Sequence, residues 1–464
     1  MLLITEVTKA YAPRFKAAQT LIGEIMKSNT LILLLASFTG LIGCDLPTPD
    51  DHNMHRSISN TNTDKELNVD IAALLAREVE IVEHSPKSSN TLAFDLYKQF
   101  AAQDKNPTFS PFSLSLALAM TYAGAAAETE KAMKDVLYYG ENNPEFHKSY
   151  GDFANLLSHK DRSKDGTVLK ISNALWLDDH SDVLDSFKNT LAEGYRAKPT
   201  QLDFCHEAKA ATNEINQTVS DQTNKEIDKL LKEVLSTDTR FILTNAMYFK
   251  SNWLEPFNAR NTQEGEFLKS DGSDMKTKYM KQKAQLLYGE DAQKQYLMVP
   301  YKDSDFATLF VLPREGQLKT VEENLNDANF NAMLKNLSSK DVSFWLPKFS
   351  QRMSPDVKAA LKAQGLGIIF DDKLANLTKI NDRSKGEGNL YVGDVVHEAV
   401  VKMYEEGTTA AAATAVVVFE ATSMQPNPTP VTNFHADHPF LFNIIHKPSN
   451  TILFMGRVDE PTLD

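Results

Sequence analysis

Glu405–Ala421 reads Glu-Glu-Gly-Thr-Thr-Ala-Ala-Ala-Ala-Thr-Ala-Val-Val-Val-Phe-Glu-Ala. Two acids, Glu405 and Glu406, and one glycine, Gly407, open it; small residues follow from Thr408 to Ala415. Alanine is the best helix former, so Ala410, Ala411, Ala412 and Ala413 favour a helix. Thr408, Thr409, Thr414 and the run Val416–Phe419 favour a strand, and helical periodicity is missing. On composition alone the plain reading is a short buried strand with an Ala-rich lead-in. In a strand, side chains alternate, so Thr408, Ala410, Ala412, Thr414, Val416 and Val418 share one face. All six are small or β-branched and none is charged. Gly407 supplies backbone freedom at the start of the stretch.

Upstream lies a long strand-like run, Leu390-Tyr-Val-Gly-Asp-Val-Val-His-Glu-Ala-Val-Val-Lys-Met-Tyr404. Downstream a Pro/Asn/Thr loop, Met424 to Asn433, leads to Phe434-His-Ala-Asp-His-Pro-Phe-Leu-Phe-Asn-Ile444 and then to Thr451-Ile-Leu-Phe-Met-Gly-Arg-Val458. This order resembles the serpin family: a long strand, an acidic-Gly-Thr-Ala hinge, an exposed loop, a signature and a closing strand. The resemblance extends upstream to about Ser88. Asn106-Pro-Thr-Phe-Ser-Pro-Phe-Ser113 is similar to the start of serpin helix B, and Ile171-Ser-Asn-Ala-Leu-Trp176 to the third strand of sheet A. Thr244–Trp253 with Glu255-Pro-Phe257 is similar to the breach region, and Leu346-Pro-Lys-Phe-Ser350 to another sheet strand. Two positions depart from the family: Thr218 stands for a usual Trp and Asn224 for a Gly.

The resemblance implies an α+β serpin fold, with three β-sheets surrounded by about eight or nine helices and an exposed reactive-centre loop. It implies a suicide inhibitor rather than an enzyme. The target serine protease would attack the loop, form an acyl-enzyme and be trapped as the cleaved loop enters sheet A. Family spacing places the scissile bond at Ala421–Thr422, and alanine there implies a small, elastase-like specificity pocket. Cleavage at Phe419 or Thr422 would change the target class. Glu405 is expected to pair with Lys348 near Trp253, at the breach. Ser110, Ser113, Asn245 and His397 match the family's central shutter, which the resemblance implies is a polar cluster that must reorganise as strands part. The alternatives are a non-inhibitory serpin acting as a binding or carrier module and a cross-class inhibitor of papain-like cysteine proteases.

The chain has 464 residues, 42% of them apolar and 24% charged, as expected of a soluble globular protein. Its net charge of −13 argues against nucleic acid as a partner. Two cysteines, Cys44 and Cys205, are too few for a disulfide framework, and Cys205 reads as a packed lone thiol. Met26 to Cys44 has a basic start, an apolar core from Leu31 to Phe38, and Leu41-Ile-Gly-Cys44, which resembles a bacterial lipobox. Residues 26–43 are therefore expected to be a lipoprotein signal peptide and Cys44 the lipidated residue, anchoring the chain to a membrane. Residues 1–25 read as a mis-called extension. Residues 44–87 read as a flexible tether with a short helix, and 88–464 as one serpin domain. The expected location is the cell envelope, periplasmic or surface-exposed, or outside the cell; a monomer is expected.

Helical spacing at Leu92, Leu96 and Phe100 and the Ser110-Pro111 start predict two early helices. Asn213–Leu235, Glu322–Leu337 and Pro355–Ala363 read as further helices, and strands dominate from Arg240 onward. No Gly-x-Ser-x-Gly elbow, HExxH, CxxC or phosphate loop is present, so no catalytic centre, cofactor or metal is expected. His435, Asp437 and His438 read as a solvated turn.

Overall fold

The computed structural model describes residues 77–82, 85–158, 166–383, 389–408 and 431–463. The chain divides into two units, Met1–Glu83 and His84–Asp464. In the first, residues 77–82 are helical.

The second unit begins with α1 (Ser88–Ala101), β1 (Thr108–Phe109), α2 (Pro111–Tyr122), α3 (Ala127–Val136) and α4 (Pro144–Leu157). Next come β2 (Val168–Asp178), α5 (Asp185–Tyr195), β3 (Thr200–Leu202), α6 (Ala208–Gln222) and β4 (Phe241–Asn252). Then follow β5 (Gln263–Leu268), β6 (Asp274–Glu290), β7 (Lys294–Pro300), β8 (Phe306–Pro313), α7 (Leu318–Glu323) and α8 (Asp327–Lys335). The chain closes with β9 (Ser338–Pro347), β10 (Phe349–Met353), α9 (Val357–Ala363), β11 (Asp394–Met403), β12 (Gly407–Thr408), β13 (Thr432–His435), β14 (Phe440–His446) and β15 (Thr451–Val458).

Among the described residues the strands form two hydrogen-bonded sheets. One has six strands in the order β10-β11-β12-β4-β2-β3; this is the sheet that the resemblance calls sheet A. The other has nine, β1-β15-β14-β8-β7-β6-β9-β13, with β5 added on β6. The 17-residue β6 makes it continuous: successive stretches of it pair with β5, β9 and β7. The remaining two expected sheets are thus joined through one long strand. Ile171–Trp176 lies in β2, second from the β3 edge, and β4 holds the position expected for it.

α2 is buried on every side, as its uniformly apolar sequence requires. Ser110 caps it by accepting from the Ser113 N–H. On the opposite face of the six-stranded sheet lies α6. Its Ala211 and Ile215 pack on Trp176 of β2 and Ile242 of β4, and its Val219 on Ala246 of β4 and Val400 of β11. The alternation of strand side chains explains the division: Ile242 and Ala246 face α6, whereas Asn245 and Met247 face α2.

Two expected helices are shorter than their periodicity suggests. α6 stops at Gln222 because Asn224 and Lys225 take left-handed φ values of 53° and 64°. Asn224 adopts this conformation more readily than most residues, so it fills the place of the family's glycine. Glu322–Leu337 is broken in two, because Asn326 leaves the helical conformation to cap α8.

Candidate functional site

β11 ends in a tight reversal. The Tyr404 N–H donates to Gly407 O at 2.9 Å, and the Gly407 N–H donates back to Tyr404 O at 3.2 Å. The returning strand, β12, enters between β11 and β4. Thr408 lies opposite Met403 on one side and Ser251 on the other, and Gly407 lies opposite Asn252. Beyond this wedge β11 and β4 pair directly and in parallel, from Asp394↔Ile242 to Ala399↔Met247. The sheet is therefore parted at the hinge end and closed from Ala399↔Met247 to Asp394↔Ile242.

Glycine is required at 407. Its φ is 155°, and a Cβ would sit 2.1 Å from Ser251 O. Thr408 is 1% exposed. Its hydroxyl hydrogen-bonds the Tyr301 hydroxyl and reaches Met403 Sδ at 3.3 Å. Tyr301 also meets Thr308 Oγ1 at 2.7 Å, and burial pushes its phenol well above the ordinary value, so it stays neutral. The Trp253 ring stacks on Tyr301 at 4.5 Å and 6°.

The reversal itself is pinned. The Trp253 indole donates to Tyr404 O at 3.0 Å. The backbone N–H groups of Trp253 and Phe257 donate to Glu406 O and Glu405 O at 2.8 and 2.9 Å. The Glu405 carboxylate accepts from Lys348 Nζ and Thr262 Oγ1, each at 2.8 Å. Burial alone would raise the Glu405 pKa; the hydrogen bonds from Lys348 and Thr262 outweigh it and hold the carboxyl below its ordinary value.

The polar cluster lies farther along the same seam, beneath the paired strands. His397 and Asn245 are partners across β11 and β4. The Ser110 N–H donates to His397 Nε2 at 3.1 Å, so the imidazole carries its proton on Nδ1 and donates it to Asn245 Oδ1. Asn245 Nδ2 in turn donates to Ser113 Oγ and to Asn173 Oδ1. Asn173 Nδ2 donates to Ser113 O at 3.1 Å. Burial depresses His397 to about 4, so it is neutral at physiological pH. The cluster ties α2 to β2, β4 and β11.

A family model described as "Serpin (serine protease inhibitor)" matches residues 87–461. The chain belongs to the serpin family. Serpins are generally inhibitors of proteases and interact with them as targets. Among curated relatives, a serpin-like protein of Thermococcus kodakarensis is 35% identical over 372 residues, covering 80% of this chain and 84% of the relative. Human Serpin B3 is 32% identical over 400 residues, covering 82% of this chain and all of the relative. The leukocyte elastase inhibitor of Sus scrofa is 32% identical over 394 residues, with 82% and 100% covered. Among solved structures, human thyroxine-binding globulin in complex with thyroxine superposes with a TM-score of 0.73 at 27% identity, covering 82% of this chain and all of that one.

In this serpin the structure brings Glu405, Glu406, Gly407, Thr408, Lys348 and Trp253 together in one cluster, and Ser110, Ser113, Asn245 and His397 in another. Thr409–Thr414, the bond Ala421–Thr422 and Cys44 lie outside the described residues. Sequence reasoning missed Tyr301, Thr262 and Asn173. Asn173 carried a signal, because asparagine is depleted in strands and here sits inside an apolar one. Tyr301 and Thr262 lie in ordinary-looking sequence and offered none. No helix among the described residues is long and apolar enough to cross a membrane.

Proposed function

We propose that this serpin is inhibitory and traps a serine protease with a small, elastase-like specificity pocket. One observation carries the reading: Thr408 is seated between β4 and β11 and paired on both sides, at the open end of a seam the rest of the hinge could enter. In this reading the protease serine attacks the carbonyl carbon of Ala421, and the Ala421–Thr422 peptide bond breaks. The new amino terminus at Thr422 leaves, and an ester joins Ala421 to the enzyme. The freed hinge then extends β12 as a full strand, antiparallel to both neighbours. Continuing the register would set Ala410 between Phe249 and Val401, Ala412 between Met247 and Ala399, and Thr414 between Asn245 and His397. The composition of the hinge agrees, because no bulky or charged residue falls on the inward face.

About ten residues would be added. At roughly 0.5–1.5 kcal/mol net per hydrogen bond, plus side-chain burial, the gain is on the order of ten kcal/mol. This equals the whole stability of an ordinary domain, so the uncleaved form would be metastable and held by a kinetic barrier. The chain acts as a substrate that changes shape and not as an enzyme. A carrier role is the second reading, favoured by the fold shared with thyroxine-binding globulin; the small, uncharged hinge argues against it. A papain-like cysteine protease could be trapped by the same loop. The N-terminal residues support a lipid anchor at Cys44 of a monomeric protein held at the cell envelope, with 44–87 as tether. The test is incubation with elastase-, chymotrypsin-, trypsin- and papain-like proteases. An inhibitory serpin gives a covalent complex stable on denaturing gels and a released peptide beginning at Thr422. Clean cleavage with full protease activity retained would leave the carrier reading.

A further inference from the structure

Away from the hinge, at the other end of the six-stranded sheet, β2 and β3 run parallel with Trp176↔Thr200 and Asp178↔Leu202 in register. Parallel strands end on the same side, so the residues that follow each strand meet. β2 ends at Asp178 and is followed by Asp179 and His180; after β3 come Asp203, Cys205 and His206. The two segments are tied by Asp179 N–H to Leu202 O at 3.0 Å and by Gln201 Nε2 to Ser181 O at 2.7 Å.

The Asp178 carboxylate is at the centre. It is 1% exposed, and no lysine or arginine pairs with it among the described residues. Its Oδ1 accepts from the His180 N–H at 3.2 Å and faces His180 Nδ1 at 3.0 Å; its Oδ2 faces Cys205 Sγ at 3.5 Å. Asp179 Oδ1 lies 2.8 Å from the same imidazole nitrogen. The donor atoms of Asp178, His180 and Cys205 all lie within 4.8 Å of one another, and so do those of Asp178, Asp179, His180 and Asp203. Arg240, the cation beside the cluster, spends its guanidinium on Thr237 O and Thr239 O at 2.9 Å each. A cavity of about 450 Å³ opens on Asp178 and His180 and provides access.

We infer that these two strand ends form a binding site for a divalent transition cation of the zinc class, held by Asp178, His180 Nδ1 and Cys205 Sγ, with water in the fourth position. The chemistry of the donors selects the ion. A thiolate with an imidazole and a carboxylate suits zinc or cobalt and not the hard cations calcium and magnesium. Metal–ligand bonds of about 2.0–2.3 Å in a tetrahedron put the donors roughly 3.3–3.8 Å apart, close to the present separations. A buried carboxylate also needs a cation to offset its desolvation. On binding, the ion loses water, the Cys205 thiol gives its proton to solvent, the proton that His180 Nδ1 directs at Asp178 and Asp179 leaves for solvent or for Nε2, and the sulfur and Nδ1 lone pairs form the new bonds. The site would clamp the end of β2 to the segment that leads into α6. It is independent of the inhibitory reading.

The test uses the full chain, freed of metal with a chelator and titrated with zinc and cobalt chlorides. One equivalent of cobalt should give a thiolate-to-metal charge-transfer band that persists in Cys44→Ser and is lost in Cys205→Ser. His180→Asn should bind zinc at least about tenfold more weakly in competition with a chromophoric chelator. Zinc should also slow alkylation of Cys205 in the unsubstituted protein, a readout that needs no variant to fold. A cobalt spectrum without the band, a band that depends on Cys44, or alkylation of Cys205 unchanged by stoichiometric zinc overturns the site.

Discussion

Thr408→Arg separates strand insertion from simple loop cleavage. Thr408 is enclosed by Tyr301, Met403 and Ser251, and the Glu405 carboxylate of the reversal is already held by Lys348 and Thr262. An arginine there would be a buried cation without a partner, which costs several kcal/mol. The uncleaved protein can avoid that cost by withdrawing β12. It then loses only the hydroxyl contacts and the short ladder, about 1–3 kcal/mol in total at 0.5–1.5 kcal/mol per bond. Insertion cannot avoid it, because every inserted form passes residue 408 between β4 and β11. If about 3 kcal/mol of the cost reaches the insertion barrier, insertion slows by roughly two powers of ten. Deacylation then wins, and the variant is cut as a substrate. The assay is the ratio of covalent complex to cleaved product on denaturing gels, with circular dichroism to show that the variant is folded. Cleaved wild type should melt well above the intact protein; cleaved Thr408→Arg should gain little. Equal trapping by the two proteins would rule out insertion through this seam.

Four further outcomes are expected. Thr414→Val removes a hydroxyl that the continued register sets between Asn245 and His397, so the cleaved form should lose about 1 kcal/mol more than the intact form; equal losses would show that the register is not continued. Ala421→Arg should redirect the loop to trypsin-like proteases with the released peptide still beginning at Thr422, and sequencing that peptide decides the register of the bond. Cys44→Ser should abolish lipid processing, whereas wild-type protein in the aqueous phase after detergent partitioning, with an unmodified N-terminus, would end the anchor. His397 titrates near 4 in the folded protein and near 6.5 when unfolded, so the unfolded state takes up the proton first as pH falls. Its contribution is fully present above pH 6.5 and is lost towards pH 4, by up to about 3 kcal/mol. His147 is depressed to about 4 by burial as well, so His397→Gln should flatten only part of that slope; an unaltered slope in urea titrations from pH 7 to 4 would remove His397 from the account.

The hinge was legible through its resemblance to the serpin pattern; on composition alone the stretch reads as a short buried strand. The one local requirement the fold shows there is glycine at 407, where a close backbone approach leaves no room for a Cβ. The helix starting at Ser110-Pro111 was legible from the residues themselves, since its cap and its apolar faces are written in consecutive residues. The rest depends on strand pairing, which periodicity does not reveal. Tyr301 reaches Thr408 only because β12 turns back beside β4, and Asn173 joins His397 only because β2, β4 and β11 are neighbours in that register. The two sheets joined by β6 follow from its length, and the sequence suggested only four of its 17 residues, Gln285–Tyr288. The Cys205 cluster is the extreme case. Its members lie on two short segments separated by α5, and neither segment has the spacing of a metal motif. A parallel pairing of three residues brings them together, so a thiol that reads in sequence as a small packed residue faces a buried carboxylate in the fold.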